Sequence, residues 1–328
     1  MFSLLSLISV ATIVASEPGA SHPLRSDVSS GCGQTPPIAL GAFKNFTTSG
    51  KRDYRVWLPK NYDASKETPL ILSYHGANRD ITRQVNLDKL TDPLFNKEYI
   101  VVYLQGNADD PNDPDHTGWE GAPDHKSDDI AFTKDVLDAV TASLCVDNRR
   151  IFATGKSQGG GFVGRLACDS QMSKRIAAFA PVSGAYYITE ISKKSECHPE
   201  TVKVPCNASR TDIPIMAFHG GNDSTIAYHG DFRSGACLPD VSSWARQWAL
   251  RDGLDGTPVN TTIPEAANGM IMRYGNGLVT LVYDGDDIGH DWPSKTKNAD
   301  NEREGHVLAK FNASDWIMKF FREHSLPA

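Results

Sequence analysis

Ser157 stands in the run Gly155-Lys156-Ser157-Gln158-Gly159, a Gly-x-Ser-x-Gly spacing. A β-branched and aromatic run precedes it and a Gly-rich run follows, so a strand should feed a sharp turn and then a helix. Such a turn lifts a serine hydroxyl above a sheet, and the flanking glycines remove side chains that would collide within it. The chemistry is nucleophilic acyl transfer, which needs a base and an orienting acid. On this type of turn the chain order is serine, acid, histidine. Asp223 ends the run His219-Gly220-Gly221-Asn222-Asp223 after an apolar stretch and is the candidate acid. His290, in Gly289-His290-Asp291-Trp292-Pro293, is the candidate base. Of the ten histidines it alone follows a late strand, sits beside glycine and lies after both Ser157 and Asp223. The amide of Gln158 and that of Ala77, in the earlier run His75-Gly76-Ala77, are the two expected oxyanion donors. Each position also has a structural alternative: a Gly-rich turn at Ser157, an Asx turn at Asp223, a solvated loop histidine at His290. His219 and His75 read as residues that brace loops.

The elements that would carry these residues are short β-branched runs alternating with longer amphipathic ones. Strands are expected at Tyr54–Leu58, Leu70–Tyr74, Ile100–Tyr103, Ile151–Thr154, Ala177–Pro181, Ile215–His219 and Val279–Tyr283. Several are continuously apolar, as in a parallel sheet covered on both faces. Helices are expected at Ile130–Leu144, Gly160–Cys168, Ser242–Arg251 and Ser314–Glu323, the first capped by Asp128 or Asp129. The pattern implies an α/β fold with a mostly parallel, doubly wound sheet and helices on both faces. Two long insertions, near 107–129 and 186–212, could shape a site.

With 328 residues, 40% apolar and 22% charged, the chain has material for one large domain, expected over 31–328. The formal charge of −7 argues against nucleic acid or an anionic membrane as partner. Residues 2–15 are apolar or small, and Val14-Ala15-Ser16 offers a cleavage site, so 1–16 read as a secretory signal and 17–30 as a flexible leader. The mature protein is then expected outside the cell. Six cysteines in a secreted chain imply three disulfides, with 15 possible pairings. The expected pairs are Cys145–Cys168, which flank one strand and the next helix, Cys197–Cys206, and by remainder Cys32–Cys237. No CxxC spacing or histidine cluster suggests a metal. Sequons at Asn45, Asn207, Asn222, Asn260 and Asn312 make N-glycosylation an expectation, with Asn222 doubtful beside Asp223.

His75-Gly76, Gly118-Trp119 ahead of Asp128-Asp129-Ile130, Gly155-Lys156-Ser157-Gln158-Gly159-Gly160, His219 to Asp223, and Gly289 to Pro293 occur in that order. Together they resemble the secreted fungal feruloyl esterases, which belong with the polyhydroxybutyrate-depolymerase-like esterases of carbohydrate esterase family one. The resemblance spans Cys32 to Phe321. It implies an α/β-hydrolase fold, no cofactor, and hydrolysis of hydroxycinnamate esters on plant arabinoxylan or pectin. It matches Ser157, Asp223 and His290 to the family's triad positions. The loop here reads His-Gly-Ala where depolymerases often carry cysteine after the glycine, which weakens a depolymerase reading. A flat acyl group would want an apolar slot, for which Trp119, Tyr186, Tyr187 and Trp292 are candidates; core packing is the equal alternative for each. The rival activities are acetylxylan esterase and short-chain polyester depolymerase. An inactive hydrolase fold that binds polysaccharide is the rival from another class.

Overall fold

A computed structural model describes residues 28–123 and 125–327. The expected signal segment and residues 17–27 of the expected leader lie outside the described residues. In chain order the first elements are β1 (Phe43–Thr47), β2 (Asp53–Trp57), β3 (Thr68–Tyr74), α1 (Ile81–Asp88) and β4 (Ile100–Leu104). A short ribbon follows, β5 (Asn107–Ala108) with β6 (Thr117–Gly118), then α2 (Asp129–Ser143), β7 (Val146–Lys156), α3 (Gln158–Cys168), β8 (Ala178–Val182) and β9 (Ile215–His219). After a second ribbon, β10 (Asp231–Arg233) with β11 (Ala236–Leu238), come α4 (Val241–Arg251), β12 (Val259–Thr262), β13 (Met270–Tyr274), β14 (Val279–Tyr283) and α5 (Ala313–Arg322).

Ten strands form one sheet in the order β1-β2-β4-β3-β7-β8-β9-β14-β13-β12. The six from β4 to β14 in that order run parallel, and antiparallel strands close both edges. This is the α/β-hydrolase arrangement. The period of two along each strand builds two cores. Leu70, Leu72 and Tyr74 of β3 face α2, α3 and α4, with Val136, Phe162 and Trp244 in the same cluster. Ile71 of the same strand faces the other side, where Ile81 of α1 and Ile317 and Phe321 of α5 pack. Burying both faces is why these strands read as continuous apolar runs. Among the described residues no helix is long and apolar enough to cross a membrane.

The expected strands fall on β2, β3, β4, β7, β8, β9 and β14; β9 and β14 match at both ends, and the others differ at one end or both. β1 and β12 carry exposed, mostly polar faces, and this hides them from a reading based on apolar runs. Asp128, rather than Asp129, caps α2: its carboxylate accepts from Ala131 N at 2.9 Å. Asp129 instead is buried, accepting from Arg52 Nη2 and Glu120 N at 2.6 Å each.

The three disulfides differ from the expected pairs. They are Cys32–Cys145, Cys168–Cys206 and Cys197–Cys237, with Cα separations of 4.0, 4.6 and 5.3 Å. Cys145 precedes β7 and Cys168 ends α3, but a strand and the helix packed on it stand about 10 Å apart. That exceeds disulfide reach. Other segments cross each site instead. The N-terminal segment lies against Cys145, with Gly31 N donating to Thr141 O and Ser29 Oγ donating to Leu144 O. The stretch carrying Cys206 crosses the end of α3, where Asn207 N donates to Cys168 O. Cys237 pairs in β11 beside Ile188, so Cys197 reaches it across the 186–212 insertion. The leader boundary moves too. Val28 bridges Asp147 and Ser29 is buried, so residues 28–30 belong to the folded unit.

Candidate active site

Ser157 joins β7 to α3 without a spare residue. Its φ of 57° and ψ of −119° lie in a region that side-chain-bearing residues seldom adopt. The surrounding backbone holds it there. Its N–H donates to Val182 O at 3.0 Å, and its carbonyl accepts from Gly161 N at 2.9 Å and Ala185 N at 3.0 Å. Glycine is required around it for space. A Cβ on Gly159 would sit 2.4 Å from Tyr74 O, and one on Gly155 would sit 2.7 Å from the Gly159 backbone. These contacts bring the end of β3 against the turn, and a Cβ on Gly76 would lie 3.3 Å from Ser157 Cβ.

The amides of Ala77 and Gln158 donate no hydrogen bond among the described residues. Gln158 N is the first amide of α3, where helix geometry leaves donors free and the dipole favours negative charge. The Ala77 loop is braced from within. His75 Nδ1 donates to Gly76 O at 2.7 Å and its Nε2 accepts from Gly106 N at 2.8 Å. Burial pushes this imidazole down to about 4, so it is neutral in that role.

Asp223 and His290 meet at the ends of the neighbouring strands β9 and β14. His290 Nδ1 lies 2.6 Å from Asp223 Oδ2, and both residues are buried. The other carboxylate oxygen accepts from Thr225 N at 2.9 Å and Ile226 N at 2.7 Å. His219 Nε2 donates to Ile226 O at 2.7 Å and lies 3.3 Å from Asp223 Oδ2. Burial alone would raise the Asp223 carboxyl, but its bonds with His219 and His290 outweigh that and hold it well below the usual range. His290 is pushed down to about 4, first by burial and then by the nearby Lys156 charge, against the pull of Asp223. The pair therefore rests as carboxylate and neutral imidazole, with Nδ1 as the donor and Nε2 left as the basic nitrogen. No hydrogen bond joins Ser157 Oγ to His290 in this structure. The two loops meet through Lys156, whose Nζ lies 3.4 Å from His290 O.

Two of the four aromatic candidates for a substrate slot are corrected. Trp119 and Trp292 are 0% and 1% exposed, and neither lines the cavity that Tyr186 and Tyr187 share. Trp119 Nε1 donates to His75 O at 2.7 Å, beneath the Ala77 loop. Trp292 Nε1 donates to Ser314 Oγ at 3.0 Å, on the α5 side. Both are core residues whose indole N–H is satisfied inside the protein. Nearness in sequence to a site residue does not say on which side of the backbone a ring packs. Tyr186 and Tyr187 do line a cavity of about 390 Å³ along α3, together with Gln158, Phe162 and Arg165, whereas Ser157, Ala77 and His290 do not line it. Tyr186 stacks on Trp244 at 3.9 Å between ring centres, and its hydroxyl is buried without a partner.

Sequence reasoning missed a second charged group at this end of the sheet, formed by Lys156, Asp291, Asp300, Arg303 and His306. Lysine directly before the serine, at the buried end of a strand, was the available signal.

No family model matches the sequence. Among curated proteins, a feruloyl esterase C of Emericella nidulans is 32% identical over 214 residues, covering 65% of this chain and 68% of that protein. A feruloyl esterase B of Piromyces equi is 26% identical over 213 residues, and a probable feruloyl esterase C of Aspergillus niger is 28% identical over 204. The matches span only 37% and 64% of those two proteins, which is less than two thirds of their length. Among solved structures, an acetyl xylan esterase from Aspergillus awamori superposes with a TM-score of 0.60 over 86% of this chain and 99% of that one, at 13% identity. That likeness supports the hydrolase fold, and the sequence relatives carry the assignment further: the chain belongs to the fungal feruloyl esterase family.

Proposed function

We propose that this protein is a secreted serine esterase that hydrolyses feruloyl and related hydroxycinnamoyl esters on plant cell-wall polysaccharide. The observation that carries the reading is the 2.6 Å Asp223–His290 contact beside a serine in a strained strand-to-helix turn. His290 Nε2 takes the Ser157 proton as Oγ bonds to the ester carbonyl carbon. The amides of Gln158 and Ala77 receive the oxyanion, a donor pair in which losing one member costs about 3–4 kcal/mol of transition-state stabilisation. Asp223 stabilises the imidazolium. The carbon–oxygen bond to the sugar breaks, and the proton on His290 passes to the departing sugar oxygen. Water, deprotonated by His290, attacks the acyl-enzyme, and ferulic acid leaves with Ser157 regenerated.

The support for an aromatic acyl group is that Gln158, Tyr186 and Tyr187 line one cavity, which gives it aromatic walls next to a proposed oxyanion donor. Three disulfides fit an extracellular setting. Asn45, Asn207 and Asn260 are exposed sequons suited to glycosylation, whereas the Asn312 amide donates to Asp315 Oδ2 at 3.1 Å. Initial rates on methyl ferulate, acetylated xylan and hydroxybutyrate oligomers test the substrate class. Methyl ferulate should be turned over with the highest kcat/KM. A preference for acetylated xylan or the oligomers would replace the feruloyl reading with one of its rivals.

A further inference from the structure

Lys156 is the last residue of β7, next to the nucleophile, and is only 4% exposed. Removing an ammonium group from water costs several kcal/mol unless partners compensate. Its partners here are specific. Nζ lies 3.4 Å from His290 O and 3.7 Å from Asp300 Oδ2. Asp300 Oδ2 also accepts from Trp292 N at 3.1 Å, two residues past the base. Arg303 Nη2 donates to the same His290 carbonyl and to Asp291 Oδ1, the latter at 2.9 Å. His306 Nδ1 holds both oxygens of Asp291, at 2.7 and 2.9 Å. The His290 peptide therefore sits between two cations, one rooted in the nucleophile strand and one in the 298–306 segment.

We propose that Lys156 is a positioning residue for acyl transfer: it fixes the His290 peptide relative to Ser157, and its charge sets how acidic a medium the imidazole can work in. The proposal rests on the triad reading given above. The titratable and charged groups around Lys156 and His290 come from three elements. The loop after β9 supplies Asp223, with His219 behind it. The end of β14 and its loop supply Asp284 and Asp291. The 298–306 segment supplies Asp300, Arg303 and His306. Within this set Lys156 opposes protonation of His290, while Asp223 and Asp300 favour it. An aliphatic side chain of the same length would fill the space without the charge, and this makes the role separable from packing.

The test is the rate at which a fluorophosphonate labels Ser157, followed from about pH 3 to about pH 8. This readout does not depend on which ester the enzyme prefers. Lys156→Met should lower the plateau at least about tenfold and move the acid limb up by about one pH unit. Asp300→Asn should move the limb the opposite way, to lower pH. Profiles that overlay the wild type, or that shift in the same direction, would overturn the proposal. If Lys156→Met does not fold, Asp300→Asn decides alone: a limb that stays or rises counts against it. A wild-type protein that is never labelled would sink the triad reading, and this proposal with it. Wild-type labelling with unmoved limbs would sink only the role of Lys156.

Discussion

At the level of single residues, the site works by keeping two protonation states apart. Asp223 accepts from two backbone amides and from His290, with His219 Nε2 3.3 Å away, so its charge is held in a buried place. His290 is neutral because burial and Lys156 oppose its protonation more strongly than Asp223 favours it. A base must be unprotonated to act. Activity should therefore be complete well above pH 4 and be lost as pH falls through about 4. A kcat/KM profile for methyl ferulate checks this, and an acid limb above pH 6 would show that His290 is not so disfavoured. Asp223→Asn should keep the fold and lower kcat by roughly 10⁴, because the imidazole loses both its orientation and its counter-charge. Ser157, Asp223 and His290 can be picked from the sequence as candidates because chain order and glycine neighbours limit the choice. Lys156, Asp300 and Arg303 cannot be, since their meaning comes from positions 144 and 147 apart in sequence folding back on one strand end.

Among the elements, the junction of β7 and α3 matters most. The helix starts at Gln158 because the turn consumes one residue, Ser157, in a left-handed φ. Its glycines let α3 press against β3 and the 183–185 backbone. Gly161 shows how closely: a Cβ there would meet Ala185 O at 2.0 Å. Gly159→Ala should force the helix away from Tyr74 O and His75 O. Displacement of about 1 Å in such a site lowers kcat/KM on the order of 10²-fold. Kinetics and circular dichroism on the purified variant would show it, and full activity would mean that the turn tolerates a wider approach. The parallel strands and four of the helices are legible because burial on both faces, or on one stripe, leaves a clear apolar pattern. The edge strands β1 and β12 escape such a reading, because edges keep polar side chains toward water.

For the whole molecule, the disulfides divide the labour. Cys32–Cys145 ties the N-terminal segment to the start of β7, while Cys168–Cys206 and Cys197–Cys237 hold the 186–212 insertion beside the cavity. Cysteine spacing shows that disulfides are present, but pairing depends on which segments cross in space. Val146 pairs with Thr68 at the start of β3 and Gly155 with Tyr74 at its end, so the start of β7 and the Ser157 turn lie at opposite ends of the sheet, about 20 Å apart. Replacing Cys32 and Cys145 by serine should therefore cost about 2–4 kcal/mol of stability and leave kcat/KM at 25 °C unchanged. Thermal unfolding of the double variant, assayed alongside for turnover, reads both quantities. Loss of turnover in a folded protein would show coupling between the two ends of the sheet. The central claim concerns Ser157 and the bond it breaks. It is tested most directly by measuring ferulic acid released from feruloylated arabinoxylan by the wild type and by folded Ser157→Ala. Steady release by the wild type and none above background from the variant is the expected result. Release by both proteins, or by neither, would contradict it.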